Sequence, residues 1–155
     1  MKSIVLFAAF LISATTTSFA QDATALNKKH FNLDNGLAIK GYDPVAYFTA
    51  GKAIKGDKEQ AVYSQGATYY FSSAANKELF KANPSKYLPE YGGWCAYAMG
   101  AKGEKVSIDP ETFKIVGGKL YLFYNRFFNN TLKDWNKDET NLKKNADANW
   151  AKIFH

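Results

Sequence analysis

Apolar positions along this chain recur in two rhythms, and each rhythm marks a kind of element. Over residues 137–154, Leu142, Ala146, Trp150 and Ile153 fall on one stripe and predict a C-terminal amphipathic helix. Ala75, Leu79 and Phe80 share that spacing, which predicts a helix ending at Phe80 and capped by Ser72 or Ser73. Residues 61–65 and 67–71 are rich in aromatic and β-favouring types, and Gln65-Gly66 between them predicts a hairpin. Residues 114–116 and 119–124 predict a second one across Gly117-Gly118. Asp43 and Pro44 open a short helix that Gly51 ends, because Asp accepts from free amides and Pro suits the first helical position. Residues 52–60 read as a charged connection, and 84–88 as a short helix broken by Pro89 and Gly92-Gly93. Asp109-Pro110 reads as a turn, and residues 125–134 as a helix with Phe127, Phe128 and Leu132 facing the sheet. Hairpins with helices between and after them predict a single α+β domain over residues 39–155, a small antiparallel sheet of hairpins packed with helices. Residues 21–38 precede it as a loose polar arm.

The first twenty residues follow neither rhythm. Lys2, an apolar run over residues 4–12 and the small residues of Ser18-Phe19-Ala20 make a signal peptide cleaved after Ala20. The expected product starts at Gln21 and is periplasmic or secreted. Its apolar run is too short to span a bilayer, so no transmembrane segment remains after cleavage. No cysteine follows the cleavage point to carry a lipid. Removing Lys2 and no acid lowers the net charge from +6 to +5.

Composition narrows the function. Aromatics make up 16% of the 155 residues and supply a core that needs no disulfide. The positive charge is spread over lysines, and Arg126 is the sole arginine, the residue type that forks onto phosphates and guanine edges. Nucleic acid is therefore not the expected partner.

Cys95 is the only cysteine, in the run Tyr91-Gly92-Gly93-Trp94-Cys95-Ala96. Alone it is a buried hydrophobe, an intermolecular link, a metal ligand or a reactive thiol. Free cysteines are among the most buried residue types. Against that, Gly92-Gly93 lets a backbone approach a ligand, Trp94 and Tyr97 offer a wall for a flat molecule, and Lys102 and Lys105 would favour a thiolate if folded nearby. A soft-metal reading takes Cys95 and Met99, one helical turn apart, with His30 as third ligand for copper. Nucleophilic catalysis needs a base, and the two histidines, His30 and His155, lie in no recognisable motif. Acid pairs such as Asp43 with Asp109, or Glu90 with Glu104, read as caps and surface charges. Asn129-Asn130-Thr131 fits a glycosylation acceptor.

Tyr63-Ser64, Tyr69-Tyr70-Phe71-Ser72-Ser73, Asn76, Phe80, Pro84 and Tyr87 together resemble the YHS-domain family. Gly41-Tyr42-Asp43-Pro44-Val45-Ala46-Tyr47-Phe48, the run around Cys95, and Gly118-Lys119-Leu120-Tyr121-Leu122 resemble its longer, exported, single-domain branch. Compact members attached to copper-transporting ATPases carry cysteines that look like metal ligands. Their matches here are Ala46, Ser72 and Asn76, so the resemblance carries no metal role to this corner. At the position of Cys95 it implies redox or nucleophilic chemistry.

These readings converge on an exported, non-enzymatic binding module for a small ligand or an exported protein partner. The expected site is Tyr42, Asp43, Gly92, Gly93, Trp94 and Cys95. No catalytic residue is assigned beyond the candidate thiol. One alternative is thiol redox or peroxide handling through Cys95; another is copper handling through Cys95, Met99 and His30.

Overall fold

The computed structural model describes residues 16–155, so most of the expected signal segment lies outside the described residues. The chain runs α1 (Thr16–His30), β1 (Leu33–Asp34), β2 (Leu37–Ala38), α2 (Ala46–Thr49), β3 (Asp57–Ser64), β4 (Ala67–Phe71) and α3 (Ala74–Ala82). It continues through α4 (Ala96–Lys102), β5 (Asp109–Val116), β6 (Lys119–Phe123), β7 (Asn125–Arg126), β8 (Asn129–Asn130), α5 (Thr131–Trp135) and α6 (Glu139–Ile153). The fold is α+β. One four-stranded sheet has the order β1-β2-β4-β3, and β5-β6 and β7-β8 are separate antiparallel pairs. The β2–β4 pairing is parallel, so the sheet is not wholly built of hairpins.

Both expected hairpins form, each longer than its sequence signal. β3 begins at Asp57, inside the stretch read as a connection, and a register shift between Asp57 and Ala61 absorbs the charged residues. β5 begins at Asp109, whose carboxylate accepts from the Glu111 amide at 3.0 Å, so Asp109-Pro110 enters a strand instead of making a free turn. β4 buries Ala67, Tyr69 and Phe71 in strict alternation. In contrast, β6 is buried on both faces: Leu120 and Leu122 enter one apolar cluster, Tyr121 and Phe123 the other. Because a strand sends alternate side chains to opposite sides, β6 is the shared wall of a two-part core. The first part holds Phe71, Phe80 and Val45; the second holds Trp135, Met99 and Ala146.

The predicted caps and stripes hold with one exception. Ser73 caps α3 by accepting from the Asn76 amide, but only Phe80 of that helix is buried and Leu79 is 44% exposed. α6 packs Leu142, Ala146, Trp150 and Ile153 into the second cluster. It lies so close to α4 that a Cβ at Gly100 would sit 2.4 Å from the Leu142 carbonyl oxygen.

Two segments depart from expectation. The polar arm is helical as far as His30, in α1. Its buried members are polar: Asn27 donates to the Gln65 carbonyl at 2.8 Å, and His30 packs edge-on to Phe154. A helix docked by polar groups leaves no apolar period to read.

Residues 125–134 are the larger correction. Only Thr131–Trp135 is helical, with Asn130 as the cap accepting from the Leu132 amide. Ahead of it, Asn125 pairs with Asn130 and Arg126 with Asn129, leaving Phe127-Phe128 as a two-residue loop. Both phenylalanines have positive φ, 50° and 66°, which is the type I′ turn. That turn favours Asn-Gly; left-handed backbone at other residues costs about 1–2 kcal/mol each. The two rings do not face the sheet: Phe127 is 90% exposed and Phe128 110%.

Candidate functional site

The expected site residues separate into three places. The first is the corner where α2 meets β4 and α3. Asp43 is fully buried, and its carboxylate takes five hydrogen bonds. Val45 and Ala46 amides donate to Oδ1 at 2.8 and 3.2 Å, which caps α2 as expected. The Ser72 amide, the Ser72 hydroxyl and the Asn76 amide group donate to Oδ2 at 2.8, 2.6 and 2.7 Å. Ala46, Ser72 and Asn76 are the three positions that the resemblance singled out. Here all three gather around a carboxylate and give it donors, the arrangement that makes a buried charge tolerable. The corner is filled and satisfied. Tyr42 lies beside it, half-buried against the first cluster.

The second place joins α1, α6 and the Gly-Gly turn. Tyr91, Gly92 and Gly93 all have positive φ, and a Cβ at Gly92 would lie 2.7 Å from Phe31 and 2.9 Å from Trp150. Asn32 bonds both glycine carbonyls, through its backbone amide to Gly92 and its side chain to Gly93. The glycines therefore bring the end of α1 against the domain, and the close approach they permit is to protein. Trp94 donates its indole N–H to the His30 carbonyl at 2.7 Å, and Lys105 lies 5.9 Å over its ring. His30 has one ring nitrogen 3.1 Å from Lys105 Nζ and the other 3.1 Å from the His155 carbonyl. Burial, then the nearby Lys29, holds the Lys105 ammonium below its usual range.

Cys95, Met99 and His30 are not gathered into one place. Cys95 packs in the first cluster and Met99 in the second, while His30 has both nitrogens engaged elsewhere. Among the described residues no group of three or more His, Cys, Asp or Glu is placed to hold a metal ion.

The third place is a cavity of about 220 Å³ with Cys95 at its floor. Its walls are Tyr97, Ala98, Val106 and Tyr124, and its open side is formed by Ala101, Lys102, Glu104 and Asn129. Cys95 precedes α4, and its backbone amide is tied to the Val106 carbonyl at 2.9 Å. Its side chain sits in a closed circuit. The Tyr124 amide donates to Sγ at 3.3 Å, and the Thr131 hydroxyl donates to the Tyr124 carbonyl at 2.8 Å. With that proton committed, the thiol hydrogen is left for Thr131 Oγ1, 3.4 Å away.

Cys95 is thus both buried and beside empty space. Of the other expected site residues, Tyr42, Asp43, Gly92, Gly93 and Trp94 do not line this cavity. Tyr97 and Lys102, read as neighbours of the thiol, do; Lys105 does not. Sequence reasoning missed Val106, Tyr124, Asn129 and Thr131. The Asn-Thr pair at 130–131 was the available signal, since Asn before a short apolar run is a helix cap.

Residues 45–91 match the family described as YHS domain. The match begins beside Asp43, covers α2, β3, β4 and α3, and ends four residues before Cys95. The β5–β6 pair, the Phe127-Phe128 hairpin and α6 lie beyond it. No curated protein and no solved structure matches the chain.

Proposed function

For a chain whose residues 45–91 match the YHS domain, we propose an exported, non-enzymatic binding module. Its site is the cavity floored by Cys95. The observation that carries this is unfilled volume in a packed domain, walled by apolar and aromatic groups and floored by an oriented thiol and hydroxyl. A cavity of about 150 Å³ already admits benzene. The ligand class is therefore a small molecule the size of one aromatic ring. Its apolar body packs on Tyr97, Val106 and Tyr124, and a polar end reaches Lys102, Glu104 or Asn129 at the mouth. Export rests on Lys2, the apolar run at 4–12 and Ser18-Phe19-Ala20. Cleavage after Ala20 leaves intact the part of α1 that docks through Asn27 and His30.

Native mass spectrometry of the protein recovered from its own host tests both statements. The expected result is a chain beginning at Gln21 that carries a small-molecule mass lost on denaturation, and loses it in Ala98→Phe. A bare mass from the wild-type protein contradicts the binding reading, and an intact residue 1–20 segment contradicts export.

A second reading is thiol chemistry, favoured by the place of Cys95 among the residues that line the cavity. A hydroperoxide would convert the thiol to sulfenic acid and leave as the alcohol, and an external thiol would reduce it. Alkylation separates the two: a thiol that reacts with iodoacetamide only on unfolding rules this reading out.

A further inference from the structure

Phe127 and Phe128 break two local rules at once. Both side chains project fully into solvent, and both backbones occupy the left-handed region that bulky residues avoid. Coincidence of exposure and strain at adjacent residues marks a place where folding preference has yielded to another demand. We propose that this hairpin is a membrane-docking tip that seats its two rings in the interface of an anionic phospholipid bilayer.

Three observations select that occupant. The rings stand at the apex of a short, paired hairpin, and both are exposed in full. Charge along the segment that carries the tip is basic, with the acids Asp109 and Glu111 lying before it at the start of β5. From Thr112 to Lys133 the sequence contains no acid. Arg126, next to the tip, and Lys133, in the middle of α5, are exposed and form no ion pair among the described residues. Lys114 and Lys119 pair with Glu139 and Glu90, and Asp134 with Lys137. Glu104 is the acid that shares the cavity mouth with Asn129 of this hairpin.

Area supplies the third argument. Two phenylalanine rings bury about 150–250 Å² each. A stable protein–protein contact needs roughly 600 Å² or more from each partner, so the tip alone is too small for a second copy or another protein. A bilayer requires no shaped partner, and basic residues beside an apolar anchor add attraction to anionic lipid.

Co-sedimentation of the exported form, residues 21–155, with vesicles tests the proposal. One set is phosphatidylcholine containing phosphatidylglycerol as the minor component; the other is phosphatidylcholine alone. The wild-type protein is expected to bind the mixed vesicles more tightly. The double variant Phe127→Asn/Phe128→Gly should bind them about tenfold or more weakly, and Arg126→Gln about fivefold more weakly. Asn-Gly is the preferred I′ sequence, so the double variant keeps its fold, and its thermal midpoint should be no lower than wild type. Equal sedimentation of wild type and double variant overturns the proposal, as does wild-type indifference to the anionic lipid. A dimer in solution that the double variant abolishes also overturns it, in favour of a second copy. The cavity reading is independent: vesicle binding can fail while the small-molecule mass persists, and the reverse.

Discussion

The Asp43 corner and the Cys95 cavity both place a chemically potent side chain in the core, yet they are opposites in one respect. Around Asp43 every acceptor position has a donor, and the neighbours Ala46, Ser72 and Asn76 supply four of the five. Around Cys95 the polar partners are just as orderly, but a volume of about 220 Å³ is left open beside them. Satisfaction alone therefore does not mark a site. Satisfaction beside unfilled space does, because a ligand gains packing there without first displacing a native partner.

The comparison predicts unequal responses to mutation. Asp43→Ala removes the shared acceptor of five donors, two of them in buried bonds, and should cost about 3 kcal/mol or more, measured by urea unfolding. A loss below about 1 kcal/mol would mean the corner is not the lock described.

Alkaline titration comes next. Burial raises the hydroxyl pKa of Tyr47, Tyr69 and Tyr91 far above the ordinary tyrosine range, and that of Tyr121 to about 12. For Tyr91 the hydrogen bond to Asp147 adds to burial. The folded state thus holds protons that the unfolded state releases near pH 10. Stability from these groups is complete below pH ~10 and falls as pH rises from there through 12. Urea midpoints measured from neutral to strongly alkaline pH should decline in that window, and Tyr69→Phe should flatten the decline.

On the cavity side, Thr131→Val removes the hydroxyl that links the thiol to the Tyr124 carbonyl, and should cost about 1–2 kcal/mol. Tyr121→Phe should do least. The Tyr121 hydroxyl is buried without a partner among the described residues, so its removal is expected to be neutral or to stabilise by up to about 1 kcal/mol.

What was legible in the sequence was whatever rested on period or punctuation. Gln65-Gly66 and Gly117-Gly118 announced their hairpins, Ser73 its helix, and the stripe from Leu142 to Ile153 the last helix. What failed rested on pairing with distant residues. α1 docks through Asn27 and His30, polar groups whose partners are Gln65 and His155. The double glycine was read as an approach for a ligand because sequence cannot show that Phe31 and Trp150 fill it. Phe127 and Phe128 were assigned to the core because apolar residues usually pack there. Only the pairing of Asn125 with Asn130 reveals a turn. For the site, the run around Cys95 pointed to the right thiol and to Tyr97. The rest of the cavity comes from Val106, Tyr124 and Thr131, which no local spacing connects.

The most direct test of this contrast is an amide NMR titration of the folded protein with phenol as a ring-sized probe. Saturable shifts at Cys95, Val106, Tyr124 and Thr131, with Asp43, Ser72 and Asn76 unmoved, are the predicted result. Shifts centred on Asp43, Ser72 and Asn76, or no saturable shift at the cavity, would contradict it.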